Sequence, residues 1–70
     1  MQRQPVNSSN VASIGYDEDS QTLEVEFNNG GVYEYFDVPS SEYETLMLAP
    51  SVGSYLHAHI KGKYSYRKIS

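Results

Sequence analysis

Hydrophobic and polar positions alternate most regularly in residues 22–27, Thr-Leu-Glu-Val-Glu-Phe. In an extended chain the apolar residues of this segment share one face and the polar residues share the other. The pattern predicts a half-buried β-strand. Residues 11–16 and 32–36 are predicted strands on either side, separated from it by the turn-forming segments 17–20 and 28–31.

The turn between the second and third predicted strands allows two hairpin registers. A two-residue turn pairs Val25 with Glu34 and points this acid into the core. A three-residue loop pairs Val25 with Tyr33 instead, and it then sets Glu24 opposite Glu34. Burying a lone carboxylate costs more than an exposed repulsion between two acids. We therefore expect the three-residue loop, with Tyr33 and Tyr35 inside.

The spacing of apolar residues changes to a helical period after the third strand. Ser41 and Glu44 match a capping box at the start of a first helix, and Pro50 ends it. A second helix is predicted next, and Gly62 suits the position just beyond its C-terminus. The core-facing stripe predicted for this second helix consists of Val52, Tyr55, Leu56, His59 and Ile60.

These patterns predict an α+β fold. It is a three-stranded antiparallel β-meander followed by two short helices packed on one face, with an extended C-terminal segment. Residues 1–7 are polar and contain Pro5, which indicates a flexible N-terminal lead, and residues 8–70 are expected to form a single domain. A chain of 70 residues has a small core, and without cysteine it has no disulfide. Its seven tyrosines and two phenylalanines, or a homodimer, are the expected compensation.

Several classes of protein are excluded by what the sequence lacks. No stretch approaches the ~20 apolar residues of a membrane span, and the first residues lack the apolar run of a signal peptide. We therefore expect a cytoplasmic protein with no membrane partner. Neither a nucleophile elbow, a phosphate-binding glycine loop nor a metal signature occurs in the sequence. This predicts a non-enzyme with no catalytic residues and no cofactor.

The two histidines and the acidic turn carry the side chains of this sequence that could bind a metal ion. On a helix, His57 and His59 point about 200° apart, so they cannot share one ion. The acidic residues 17–19 lack the glycine and the terminal glutamate of a calcium loop. No metal site is predicted.

A series of short motifs follows one another along residues 7–69. They are Ser8-Ser9-Asn10, Ile14-Gly15-Tyr16-Asp17, Leu23-x-Val25-x-Phe27, Tyr33-x-Tyr35, Val38-Pro39, Tyr43, Ala49-x-Ser51-x-Gly53-x-Tyr55 and Ile60-Lys61-x-x-Tyr64. In this order and spacing they resemble the KTSC domain, named for its place at the C-terminus of some lysyl-tRNA synthetases. The resemblance implies a small domain that also occurs as stand-alone bacterial and phage proteins. The family that the chain resembles is of unknown function; its association with the synthetase suggests RNA binding, and the resemblance transfers no catalytic residue.

Charges are sorted along the chain. All nine acids lie within residues 17–44, whereas the acid-free tail carries a strip of cations and tyrosines in a chain of net charge −4. Cations neutralise phosphates and tyrosines stack on bases, so the strip is the candidate nucleic-acid site, with tRNA or single-stranded RNA as the expected partner. The competing interpretation packs Tyr64 on the core and turns the cations to water or to the acidic sheet edge. The strip consists of Lys61, Lys63, Tyr64, Tyr66, Arg67 and Lys68.

The tyrosines leave other functions open. Tyr33 and Tyr35, the hallmark of the family that the chain resembles, are either an exposed stacking platform or core, and the expected register favours core. Tyrosine is enriched at interface cores, which also allows a protein-interaction or self-association module. A small-ligand pocket between sheet and helices is the third alternative.

Overall fold

The structure, a computed structural model, describes residues 2–70. Within this range, five strands form one antiparallel sheet in the order β1-β2-β3-β4-β5, with two helices between the last two strands, which confirms the α+β class. The elements are β1 (Arg3–Pro5), β2 (Val11–Asp17), β3 (Thr22–Phe27), β4 (Val32–Tyr35), α1 (Ser40–Leu48), α2 (Val52–Tyr55), the π-helical turn that continues α2 (Leu56–Ile60), and β5 (Tyr66–Lys68).

The hairpin between β3 and β4 has the three-residue loop that the burial argument predicts. Val25 pairs with Tyr33, and the acids Glu24 and Glu34 face each other. The amide of Gly30 donates to the carbonyl of Phe27 at 2.9 Å, and Gly30 has a φ of 95°. A glycine adopts this positive φ without steric cost, so the loop can close over a short span.

Two arginines flank the facing acids of this hairpin. The sheet register sets Arg3, Gly15, Glu24, Glu34 and Arg67 in one row across all five strands. Gly15 has no side chain, and Arg3 extends past it to pair with Glu24. Arg67 pairs with Glu34 at 3.0 Å from the other side. The like charges at the centre of the row are therefore each compensated by a cation from an edge strand.

The core lies between the sheet and the helices. Alternation in β3 directs Leu23 and Val25 toward the helices, where both are fully buried. Leu46 of α1 is also buried, and Tyr43 and Met47 of the same helix pack against the core, as the helical pattern predicts. The fully buried aliphatic side chains are Val11, Ile14, Leu23, Val25, Val38, Leu46, Leu56 and Ile60.

Both edge strands lie in segments where the sequence predicts no strand. Arg3–Pro5, part of the expected flexible lead, pairs with β2, while Met1 lies outside the described residues. Proline has no N–H to donate, so Pro5 is tolerated on an edge strand. Tyr66–Lys68, within the expected extended C-terminal segment, pairs with β4. Both strands are only three residues long, and all of their residues are exposed. They therefore show no alternation of buried and exposed positions that would distinguish a strand from a loop.

The helix termini differ in part from prediction. The capping box is wrong: α1 begins at Ser40 after Pro39, and no side chain caps it. The second helix fits better, because Gly62 follows its end with a φ of 82°. The predicted burial of His59 is also wrong, since it is exposed. The i→i+5 hydrogen bond from Lys61 to Leu56 widens this turn and changes which residues face the core.

Candidate functional site

An open cleft of about 480 Å³ lies on the helix-facing side of the sheet, beside the point where the chain leaves its second helix. Aromatic rings from β3, β4 and β5 form its floor and one wall, and the residues after the π-helical turn form the other. We call it the aromatic cleft. Its lining residues are Phe27, Asn29, Tyr33, Tyr35, Lys61, Gly62 and Tyr66.

Strand pairing brings the rings together from distant parts of the sequence. Tyr33 and Tyr35 lie on the same face of β4 because they are two residues apart. In β5, Tyr66 pairs directly with Tyr35, and Lys68 pairs with Tyr33. Directly paired residues of an antiparallel sheet point to the same face. Tyr66 and Lys68 therefore lie on the face that carries the other rings.

The rings form a series that runs from the core to the solvent. Tyr35 is only 3% exposed, and burial, with smaller contributions from Tyr33 and Tyr66, raises the pKa of its hydroxyl. Tyr66 is 60% exposed, and its ring centroid lies 5.8 Å from that of Tyr33 and 5.8 Å from that of Tyr35. Phe27 meets Tyr33 edge to face at 5.5 Å. The inner rings hold the outer one in place while its outer surface remains available.

Two cations accompany the rings. The Nζ of Lys61 lies 4.9 Å from the ring centroid of Phe27, and Lys68 lies opposite Tyr33. Within residues 2–70, neither lysine has a carboxylate within 4.0 Å, whereas Arg3, Lys63 and Arg67 do. The two lysines without an acidic partner therefore lie on the side of the sheet that carries the exposed ring.

The other half of the predicted strip lies elsewhere. Lys63 and Tyr64 contact Glu42 of α1: Nζ of Lys63 is 3.3 Å from Oε1, and the Tyr64 hydroxyl donates to the same oxygen at 2.8 Å. The Tyr55 hydroxyl donates to the other carboxylate oxygen. Arg67 faces away from the aromatic cleft, in the charged row of the sheet. We call Glu42 with its three donors the Glu42 cluster.

The Glu42 cluster has the electrostatics of a structural contact. The Glu42 side chain is 11% exposed. Burial by itself raises its pKa, but the hydrogen bonds from Tyr55, Tyr64 and Lys63 outweigh that effect and leave the pKa below its ordinary value. Burial, followed by the hydrogen bond to Glu42, raises the pKa of Tyr64 to about 12. The donors stabilise the ionised carboxylate of Glu42, and the carboxylate in turn stabilises the protonated hydroxyls of Tyr55 and Tyr64. These contacts join α1, α2 and the segment before β5.

The histidines and the acidic turn occupy exposed positions. His59 stacks on Tyr55 with ring centroids 4.5 Å apart, and His57 is exposed beside the aromatic cleft. Asp17 accepts hydrogen bonds from the Asp19 amide and the Ser20 hydroxyl, as a turn residue does. No group of three potential metal ligands occurs in the described part of the chain.

Three residues of the aromatic cleft are absent from the sequence-based site: Phe27, Asn29 and Gly62, the last of which was predicted only as the residue beyond the second helix. The alternation of β3 already places Phe27 on the core face, at the last position before the hairpin loop. Phe27 packs against the edge of the core and stays partly exposed, so a large aromatic ring at the end of a core face is a signal that could have pointed to the site. Asn29 has no comparable signal, because loop asparagines commonly serve the turn itself.

Residues 7–64 match the KTSC domain family, and the chain belongs to this family. It is 51% identical over 60 residues to a lysine–tRNA ligase of Trichormus variabilis, covering 86% of this chain but 11% of that protein. The chain thus spans about a tenth of the length of the curated ligases it matches. A Stutzerimonas stutzeri protein that carries the name "uncharacterized protein" is 39% identical over 70 residues, covering 99% of both chains.

A solved structure shares the fold over nearly the full chain. The crystal structure of a KTSC domain protein from Yersinia pestis is 46% identical and superposes with a TM-score of 0.96, covering 99% of this chain and 97% of that one. Within residues 2–70, no helix has both the length and the apolar character needed to span a bilayer.

Proposed function

We propose that this KTSC domain is a small, non-catalytic cytoplasmic module that binds single-stranded RNA weakly through the aromatic cleft. One observation carries the proposal. The exposed ring of Tyr66, supported by Tyr33, shares one face of the molecule with Lys61 and Lys68, the two lysines without an acidic partner. An exposed ring can stack on a base, and lysines beside it can neutralise the adjoining phosphates.

The expected affinity is modest. Stacking of one base on an aromatic side chain is worth about 1–3 kcal/mol. Each phosphate contact lowers log K by about 0.7 per unit of log salt concentration for single strands, so two lysines give a slope of about −1.4. Interaction with an extended duplex is disfavoured, because bases in a duplex are stacked on each other and unavailable to Tyr66.

The relatives of the chain support RNA as the ligand. The name lysine–tRNA ligase makes tRNA a substrate of those proteins, and the segment that matches this chain is 11% of their length. An accessory RNA contact is a function that a segment of this size can add to a larger RNA-dependent enzyme. We assign that contact to the aromatic cleft.

Fluorescence anisotropy with a labelled single-stranded RNA tests the proposal. The chain offers matched variants with the same charge change: Lys61→Gln with Lys68→Gln on the face that carries the aromatic cleft, and Lys63→Gln with Arg67→Gln away from that face. We expect the first pair to weaken binding and flatten the salt dependence between about 50 and 200 mM. The second pair should bind like the wild-type protein.

The Tyr66→Ala variant tests the stacking contact separately, since it leaves all charges in place. It is expected to weaken binding at least about fivefold, the lower end of one stacked base. Absence of binding at low salt would refute the proposal. Equal losses in the two charge pairs would show that binding follows net charge rather than the cleft.

Self-association is a second candidate, favoured by one observation. The outer edge of β5 is unpaired within the described residues, and Ile69 next to it is 42% exposed. An open edge can pair with another strand, although the cations Arg67 and Lys68 on it oppose pairing with an identical edge. Sedimentation over a wide concentration range distinguishes the candidates, because a strict monomer excludes self-association.

A further inference from the structure

A second recess adjoins the aromatic cleft. It has a volume of about 400 Å³, and it shares Phe27, Asn29 and Lys61 with the cleft. Its remaining wall comes from the segment before β2 and from the second helix and its π-helical continuation. We call it the polar recess. Its lining residues are Ser9, Asn10, Val11, Phe27, Asn28, Asn29, Gly53, Leu56, His57 and Lys61.

The polar side chains of this recess differ in how far they are already used. The side-chain amide of Asn28 donates to the backbone carbonyl of Ser9 at 2.8 Å. The side-chain Oδ1 of Asn29 accepts a hydrogen bond from the backbone amide of Gly31 at 2.9 Å. Asn10 and His57 are exposed, and neither side chain makes a hydrogen bond within residues 2–70. Asn10 and His57 are therefore free to bind a ligand, as are the Ser9 hydroxyl and the Lys61 ammonium, which also line the recess and make no hydrogen bond within residues 2–70.

The walls of the recess are held at a fixed separation. The Ser8 hydroxyl oxygen accepts hydrogen bonds from the amides of Asn10 and Val11, at 3.2 and 3.3 Å. A Cβ added at Gly53 would lie 3.1 Å from that same oxygen, which is tighter than nine in ten real Cβ contacts. The helix can approach this segment because Gly53 has no side chain. Asn10 and His57 thus face the recess from two elements in close contact.

We propose that the aromatic cleft and the polar recess take two successive nucleotides of an unpaired RNA strand. The base of one nucleotide stacks on Tyr66, Lys61 neutralises the phosphate that links the two, and the ribose of the neighbour lies in the polar recess. There Asn10 and His57 contact its 2′-hydroxyl. This inference rests on the proposed function and adds the ligand's length and sugar type to it.

The arrangement of the two spaces supports this ligand. Both volumes lie within the range of about 300–1,000 Å³ typical of ligand sites. Lys61 lies at their shared boundary, where the linking phosphate of two adjacent nucleotides would lie. The 2′-hydroxyl is both a donor and an acceptor, and it is the group by which a protein distinguishes RNA from DNA. An asparagine amide can satisfy both of its roles.

The test compares RNA and DNA single strands of the same sequence in anisotropy titrations, with thymine replaced by uracil in the DNA strand. We expect the wild-type protein to prefer RNA by about fivefold, the effect of roughly one net hydrogen bond. Asn10→Ala and His57→Ala, each made singly, should lower RNA affinity toward that of DNA and leave DNA affinity unchanged. His59→Ala is the matched control, since His59 stacks on Tyr55 outside the recess.

The outcomes separate this inference from the function it rests on. RNA binding that requires Tyr66 but shows no preference over DNA would overturn the two-nucleotide assignment and leave the proposed function standing. A preference that survives both Asn10→Ala and His57→Ala would also overturn it. If the wild-type protein binds no RNA at all, both the two-nucleotide assignment and the proposed function are overturned. Unchanged DNA affinity in a variant shows that this variant is folded. If either Asn10→Ala or His57→Ala fails to fold, the other variant still tests the inference.

Discussion

Tyr64 and Tyr66 are two residues apart in one basic, aromatic strip, yet they have opposite surroundings. Tyr64 is half-buried and donates to Glu42 in a cluster that joins both helices. Tyr66 is 60% exposed and lies in the aromatic cleft. The neighbouring cations divide in the same way: Lys63 pairs with Glu42, whereas Lys61 lies over Phe27.

In the folded molecule, acids from the first part of the chain form ion pairs with some of the cations of the C-terminal strip and, within the described residues, leave the others unpaired. Glu42 and Glu34 occupy Lys63 and Arg67. The sequence contains no acid after residue 44, but the folded molecule brings acids to half of the strip. What remains for a ligand is Lys61, Tyr66 and Lys68 of the strip, together with the ring of Phe27, which the sequence-based site did not include.

The largest expected effect comes from removing the carboxylate of the Glu42 cluster. Glu42→Ala leaves the hydroxyls of Tyr55 and Tyr64 without their acceptor, and we expect the free energy of unfolding to fall by about 2–3 kcal/mol. Glu44→Ala is the matched control, since Glu44 is an exposed acid of the same helix. It should change stability by less than about 0.5 kcal/mol. Urea unfolding followed by circular dichroism measures both.

Equal stability of these two variants would contradict a structural role for the cluster. Binding of single-stranded RNA provides a second comparison. Glu42→Ala, measured where it is folded, should retain the affinity of the wild-type protein, because the aromatic cleft is elsewhere. A large loss of affinity would mean that the two regions are coupled.

The two tyrosine hydroxyls provide the next comparison, with a smaller effect. Tyr64→Phe removes a hydrogen bond to a largely buried carboxylate and should cost about 1 kcal/mol of stability, since two other donors to Glu42 remain. Tyr66→Phe should be neutral, because its hydroxyl makes no hydrogen bond within residues 2–70. Both variants keep their rings, so only Tyr66→Ala should weaken RNA binding. A larger stability loss for Tyr66→Phe than for Tyr64→Phe would reverse the assignment.

The smallest expected effect is a pH dependence of that difference. The folded state raises the pKa of Tyr64 from 10.0 to about 12, so its contribution to stability is fully present below pH 10 and is lost as pH rises through about 12. The stability difference between the wild-type protein and Tyr64→Phe should therefore shrink across this interval. Unfolding curves at several pH values measure it, and a constant difference would contradict the assigned hydrogen bond.

The sequence predicted the β3–β4 hairpin and the end of the second helix well, because both depend on interactions between residues that are close in the sequence. Alternation in β3 and the cost of burying Glu34 were enough for the hairpin register. Gly62 marked the end of the second helix because a positive φ favours glycine at that position. The edge strands were not predicted, because Arg3–Pro5 and Tyr66–Lys68 pair through backbone atoms and bury little side-chain surface.

The sequence by itself determined the α+β class, the hairpin register and the family, since periodicity, turn chemistry and motif order are properties of neighbouring residues. Only the tertiary structure decided which tyrosines and cations face a ligand. Pairing of β5 with β4 set Tyr66 beside Tyr35 and Lys68 beside Tyr33, and packing of α1 brought Glu42 to Tyr64. Those contacts join residues more than 20 positions apart, and their geometry depends on strand pairing and burial that no local pattern encodes.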